Sequence, residues 1–413
     1  MTYAAVVLAS LLQTPAPASA AQEAPAKGPS LTHFEVGGNR ISIYGTLRMD
    51  AYAGDGRFNH TQFTYYALSH DPTVTPAVDD TDNWIDWTPR LSRLGVKVER
   101  DSLPLWPDAR LSGQLEFDFQ NRATSETSGL ESESRELPRL RHAFVKLQAG
   151  SFSFLAGQTW DLISPLWPLA NADGMMWNSG NLGDRRPQVR FGWDEPLGDG
   201  AALTTAVAFA RTGAIDRENL DAAAGDSVRD GDESARPMIQ GRVGMSNLLG
   251  KSLDFGVWGH YGWEQVNVPL LGRTHFHTSS VGLDLRLKFL DLFTLSGEAW
   301  IGKNLNDVRG GIDQGVDAAT AREIAARGGW VELAAQVAAW DTLAGGVSLD
   351  DPRNSSLSAP TARSRNFAPY VFNRVDFGGG FTIGVEAVFW ETFYLGVDDG
   401  RANRYSFFAA YSF

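Results

Sequence analysis

Cysteine is absent from the 413 residues, so an exported chain of this sequence draws its stability from strand pairing and packing, without disulfides. Long apolar runs are absent too. Beyond residue 30 no stretch approaches the roughly 20 apolar residues of a membrane-spanning helix, and a mean hydropathy of −0.22 is too polar for a bundle of such helices. A basic excess is missing: the formal net charge is −13, which argues against nucleic acid as a partner. Histidine is scarce, and none of the seven stands near a Gly-x-Ser-x-Gly elbow or in His-Glu-x-x-His spacing. No linker-like stretch separates two cores, so one large domain is the simplest organisation for a length that often makes two or three. No repeat of 20–50 residues marks a propeller or solenoid.

What the chain does have is a period of two. In the last ten residues Tyr405, Phe407, Ala409, Tyr411 and Phe413 fall on one face, while Arg404, Ser406 and Ser412 fall on the other. That alternation is a strand with one apolar and one polar side, and Phe413 is expected to be part of the fold. From Arg40 the pattern is the same, with Ile41, Ile43, Gly45, Leu47, Met49 and Ala51 against Ser42, Tyr44, Thr46, Arg48, Asp50 and Tyr52. Ala109 to Gln120 repeats it most cleanly, with Leu111, Leu115, Phe117 and Phe119 against Arg110, Gln114, Glu116 and Asp118. No soluble core accepts that polar face.

About sixteen such segments follow one another, an even number within the range of single-chain outer-membrane barrels. Their connections alternate in length. Long polar ones after strands one, three, five, seven, eleven and thirteen interleave with tight turns such as Gly150-Ser151, Asn247–Lys251 and Phe377-Gly-Gly. The expected fold is therefore all-β, a transmembrane antiparallel barrel with long extracellular loops and short periplasmic turns. Trp193, Tyr261, Trp263, Tyr405 and Tyr411 stand where aromatic girdles belong, and the Ala-rich Asp317 to Ala326 is expected to form one or two helical turns. Residues 1–20, apolar from Met1 and ending Ala18-Ser19-Ala20, read as a signal peptide that lacks an early Lys or Arg. Residues 21–38 read as a flexible Ala/Pro-rich lead, and 39–413 as the barrel. Two other classes are open to the same pattern: a secreted carbohydrate-binding β-sandwich, and an outer-membrane barrel enzyme, a lipase or protease with its site at the extracellular rim.

Seven arginines share parity with polar neighbours: Arg48, Arg93, Arg110, Arg190, Arg242, Arg286 and Arg404. On a lipid face each would cost about 2–4 kcal/mol near the midplane, so they belong to the lumen. Asp50, Glu116, Asp118, Asp284, Glu298, Glu332 and Glu386 share that face. Either the charges neutralise one another or the arginines form a selective ladder, since rings of carboxylate favour cations and Arg or Lys favour anions. His275 and His277 on one strand face could bind a metal, and the acids Asp79, Asp80, Asp82, Asp398 and Asp399 could hold calcium through oxygen ligands, but rim polarity and solvated loops are the favoured readings. No metal, cofactor or catalytic residue is expected.

Phe407, Tyr411 and the terminal Phe413 resemble the C-terminal assembly signal of bacterial outer-membrane β-barrels. Ile43-Tyr-Gly-Thr-Leu-Arg-Met-Asp50, Arg90-Leu-Ser-Arg-Leu-Gly95, Arg141-His-Ala-Phe144 and Gly157-Gln-Thr-Trp160 are similar to segments of the DcaP-like trimeric porins, within the general-diffusion type. The resemblance implies a homotrimer in outer-membrane lipid, passive diffusion of small hydrophilic solutes, and a preference for small anions such as dicarboxylates. It also implies that the third long loop, residues 160–186, folds into the lumen. The composition of that loop agrees, because Pro165, Pro168, Gly174 and the apolar Met175-Met176-Trp177 suit packing on a wall better than water. Asp161, Asp173 and Asp184 are then expected to face lumen arginines across a constriction, where opposed charges set up a transverse field.

Overall fold

Every alternating segment forms a strand, and sixteen antiparallel strands make one sheet whose first strand pairs with its last. The computed structural model describes residues 33–60, 63–74, 83–120, 137–225 and 227–413. The expected signal segment, residues 21–32 of the lead, and Asp79, Asp80 and Asp82 lie outside the described residues. Strand β1 is Asn39–Asp55, and β2 comes in two pieces, Trp84–Thr88 and Arg93–Arg100, both laddered on β1. Then follow β3 (Ala109–Asp118), β4 (Arg139–Ala149), β5 (Phe152–Trp160), β6 (Arg185–Gly198), β7 (Ala201–Ala210) and β8 (Met238–Asn247). The second half holds β9 (Leu253–Leu270), β10 (Arg273–Phe289), β11 (Phe293–Lys303), β12 (Ala325–Ala338), β13 (Asp341–Pro352), β14 (Arg363–Asp376), β15 (Phe381–Tyr394) and β16 (Gly400–Ser412). A single closed sheet excludes the two-sheet sandwich.

Parity sorts the side chains. Leu47, Val257, Leu283 and Val371 point outward and are more than half exposed, while Trp258, Trp390 and Arg404 point inward and are buried. A belt of exposed aliphatics around the whole circumference requires lipid, since a water-facing surface rarely carries so large an apolar area. The outward set includes Trp193, Tyr261, Tyr405, Phe407 and Tyr411.

The closing ladder between β1 and β16 extends to Phe413. The Gly45 N–H donates to the Phe413 carbonyl and the Phe413 N–H donates to the Gly45 carbonyl, each at 3.0 Å. Next to them the hydroxyls of Thr46 and Ser412 lie 3.0 Å apart. A side chain at position 45 would meet both the Arg93 carbonyl and the Phe413 ring at 2.7 Å, so glycine is what lets that ring lie against the seam.

Three expectations need correction. No helical turn forms over Asp317 to Ala326: Val316–Asp317 and Arg322–Glu323 pair as a small ladder, and β12 begins at Ala325, opposite Lys303. Alanine's helix preference, under about 1 kcal/mol per residue, gives way to a neighbouring strand with open ladder positions. Secondly, β9 and β10 run on past the polar stretch after Trp263 and join at residues 271–272, a long hairpin in place of a loop. Thirdly, His33–Val36, placed in the lead, pairs with Asn39 to Ser42.

Deleting Phe413 removes two ladder hydrogen bonds and the ring over Gly45, so the yield of folded, heat-modifiable barrel on unheated gels should fall severalfold. An undiminished yield would show that β1 and β16 close without it.

Candidate functional site

A connection without regular structure still has to satisfy its backbone donors, and residues 161–184, between β5 and β6, do so on the inner wall. Glu298 on β11, Glu332 on β12 and Glu386 on β15 occupy inward positions. They accept the backbone N–H groups of Leu166 at 2.7 Å, Leu169 at 2.9 Å and Asn171 at 2.8 Å respectively. Ser164 also donates its hydroxyl to Glu298. Each glutamate takes one backbone donor of the segment, so the wall carboxyls work as a row of pegs. The returning half is fixed by Asn366, which donates to the Asn178 carbonyl at 2.9 Å, and by Trp300, which donates to the Gly180 carbonyl at 2.7 Å. Gly180 has φ +127, and a side chain there would lie 2.3 Å from the Gly329 carbonyl. The segment therefore lies flush with the wall.

Apolar residues complete the seat. Met176 packs in a cluster with Tyr370, Trp390 and Phe408 on the wall, while Met175 and Trp177 pack with Tyr65, Phe63, Trp160 and Trp167. Met175 and Met176 take left-handed backbone angles, φ 49 and 56. Such conformations cost about 1 kcal/mol or more each and persist because the surrounding contacts over-determine them.

Each acid of the connection is in direct contact with an arginine. Arg186 donates to Asp161 at 2.8 Å and to Asp307 at 2.7 Å; Arg404 donates to Asp173 at 2.5 Å; Arg309 donates to Asp184 at 2.7 Å. The Asp184 carboxyl, which burial alone would push up, is held below the usual range by Arg309 and then by Arg185 and Arg139. Asp161 is pushed up by burial, only partly offset by Arg186. These acids were expected to oppose arginines across a gap; they clasp them, and of the partners only Arg404 was anticipated.

The other residues singled out from sequence divide into two groups. Glu298 and Arg404 are 4% and 0% exposed, covered by the connection. Arg48 pairs with Asp50 at 2.6 Å and Arg242 with Asp284 at 2.7 Å. Glu116 accepts from Arg141 at 2.6 Å and from the Tyr44 hydroxyl at 2.8 Å, and Asp118 accepts from Arg139 at 2.6 Å and Arg141 at 2.9 Å. Arg190 donates to Gln188 at 2.7 Å and to the Trp160 carbonyl. Arg93 stands opposite Asp118, Arg286 opposite Asp254, and the exposed Arg110 opposite Gln148. Arg139, Arg141, Arg186 and Arg309 were not anticipated.

Exposure is one-sided toward arginine in three of the pairs, while Arg141, Arg186 and Arg404 are themselves fully covered. The arginine side chain is 17% exposed over a 1% exposed carboxylate for Arg48 and Asp50, 25% over 0% for Arg139 and Asp118, and 21% over 7% for Arg309 and Asp184. At these three pairs water in the lumen meets guanidinium edges, with the acids beneath.

Comparison with solved structures places this architecture. The outer membrane channel DcaP of Acinetobacter baumannii aligns over 93% of this chain and 100% of its own, with TM-score 0.71 and 16% identity. The fold is that of the outer-membrane porins. An anion-selective porin from Comamonas acidovorans aligns over 91% of this chain and 100% of its own, with TM-score 0.55 and 11% identity. The trimer form of OmpT, an outer membrane protein of Vibrio cholerae, covers 91% and 99% with TM-score 0.54 and 14% identity. No protein-family model matches the chain, and no curated protein sequence resembles it significantly. At these identities the likeness is one of fold.

Replacing Asp173 by Ala leaves the Arg404 guanidinium buried without its carboxylate, which should cost about 3–5 kcal/mol. Removing both partners, D173A with R404A, should cost clearly less, because no uncompensated charge remains. Unfolding midpoints in detergent compare the two, and equal losses would mean that the pair does not act as a unit.

Proposed function

We propose that the protein is an outer-membrane porin, a passive diffusion channel for small hydrophilic solutes that favours small anions such as dicarboxylates and works without catalysis or a bound cofactor. The observation that carries this reading is the one-sided exposure of the ion pairs: Arg48, Arg139 and Arg309 reach water, while Asp50, Asp118 and Asp184 are covered. A solute anion passing them exchanges part of its hydration for guanidinium N–H groups, while the carboxylates paired with those arginines are covered from a passing cation. Several weak contacts of this kind suit conduction, which needs favourable entry without retention. The acids that give the whole protein its negative charge do not set the field at this level, because Glu298, Glu332 and Glu386 are engaged by backbone donors under the third connection.

The expected orientation, with the long connections outside and the tight turns in the periplasm, goes with this reading. So does a homotrimer in outer-membrane lipid. The small outward residues Ala51 and Ala409 on β1 and β16 would let neighbouring walls approach, whereas Gly45 is covered by the Phe413 ring. The Comamonas protein is described as anion-selective and the Vibrio protein has a trimer form.

Planar-bilayer recording tests the proposal. Wild-type protein in a KCl gradient should give stable channels whose zero-current potential has the sign of anion preference. The double replacement R48Q with D50N leaves the formal net charge unchanged and removes one exposed guanidinium with its covered partner. It should shift the potential toward cation preference. A wild-type potential of cation sign would overturn anion preference, and an unshifted potential in the double variant would take Arg48 out of the selective surface.

A further inference from the structure

We infer that Asp216, Glu218, Glu264 and Asn304 form a binding site for a hard divalent cation, best suited to calcium, that clips the β7–β8 connection to the β11–β12 connection. Asp216 and Glu218 lie on residues 211–237, Glu264 on the raised part of β9, and Asn304 directly after β11. One carboxylate oxygen from each of the three acids lies within 4.8 Å of the other two. That spacing alone proves little, since acidic groups often gather without a ligand.

Asn304 supplies the independent observation. It is 0% exposed, and its amide nitrogen donates to Glu264 Oε2 at 2.6 Å, yet its Oδ1 accepts nothing from the protein. A side chain built on Gly315 would lie 2.4 Å from that oxygen and 3.4 Å from Glu218 Oε1, so the amide oxygen and the Glu218 carboxylate bracket one spot. Glu264, 1% exposed, has a second oxygen, Oε1, without a donor, and Asp216 Oδ2 and Glu218 Oε2 share that state. Buried acceptors of this kind each cost free energy unless something positive meets them.

The available cations are committed elsewhere. Arg186 and Arg309, whose charge reaches Asp216, are held by Asp161, Asp307 and Asp184. Burial, reinforced by repulsion from Asp307 on Asp216 and from Asp216 on Glu218, lifts both carboxyls well above the ordinary range. Three carboxylates and an amide oxygen are a hard, all-oxygen set. Calcium takes such sets in irregular geometry and accepts water for the rest, magnesium demands a stricter octahedron, and zinc or copper would call for nitrogen or sulfur. The site uses none of the side chains assigned to solute passage, and calcium binding is read by calorimetry rather than conductance, so it holds or fails independently of the porin reading. Its consequence is mechanical: the connection it would fix carries Asp307 and Arg309, which hold both ends of the segment at 161–184.

Calorimetric titration of the folded full-length protein in detergent, freed of divalent ions with chelator, tests the site with calcium chloride alone. Expected are one calcium per chain with a dissociation constant at or below about 1 mM, a raised thermal midpoint, and magnesium binding at least about tenfold weaker. E264Q and, on the more exposed connection, D216N should each weaken calcium binding by about tenfold or more. Should either variant fail to fold, the other still decides. Absence of calcium binding and of any midpoint shift would overturn the site, as would calcium binding that survives unchanged in both variants.

Discussion

Hydrocarbon offers a peptide group no partner, so every N–H and C=O that crosses it must be satisfied inside the sheet, and an open sheet cannot do this at its edges. In this chain the condition is met at one seam, where β1 and β16 pair from Thr46 with Ser412 to Asp55 with Asn403 and the terminal Phe413 closes the lower end on Gly45. Closure turns strict alternation into an inside and an outside. The polar residues of sixteen strands are thereby collected into one enclosed volume, and their charges must be settled among themselves or against whatever enters.

What enters is the chain itself. Residues 161–184 bring unpaired backbone donors and three acids; the wall offers Glu298, Glu332 and Glu386 to the donors and Arg404 to one acid, while Arg186 and Arg309 take the others. Buried ion pairs recover little more than their desolvation cost, so this network serves position more than stability. Gly180 and the left-handed Met175 and Met176 agree with that reading, because their geometry is tolerable only where the segment has one place to lie.

The barrel was legible in the sequence because its period is local: parity alone separates Leu47 from Arg48 and Phe407 from Arg404. The same rule hid two arginines. A register shift between Glu116 and Phe117 inserts an extra residue into β4, so that Arg139, Arg141 and His142 all serve the inner side although the outward run Ala143, Val145, Leu147 would assign the first two to lipid. Arg186 and Arg309 were hidden for another reason. Arg186, at the start of β6, and Arg309, on the β11–β12 connection, pair at separations of 121 residues with Asp307 and 125 with Asp184, and no spacing in one chain announces such a meeting. Alanine content misled at Asp317 to Ala326 because the neighbouring strand, not local preference, decides there.

The proposed anion preference separates the charge of the protein from the charge of its passage, and the same geometry supports it. Forty-nine acids against thirty-six bases would suggest a cation path. Carboxylates, however, are short and accept readily from backbone N–H groups, so inside the barrel they are drawn under the third connection or beneath their partners. Arginine is long and planar, and it can hold a buried carboxylate with one edge while the rest of the guanidinium stays in water. At Arg48, Arg139 and Arg309 the acid lies beneath and the arginine keeps the free edge, whereas Arg186 and Arg404 are consumed by the seating along with their acids. On the proposed reading, the sign of the field at those three arginines is set by side-chain reach and donor supply, which no count of charges contains.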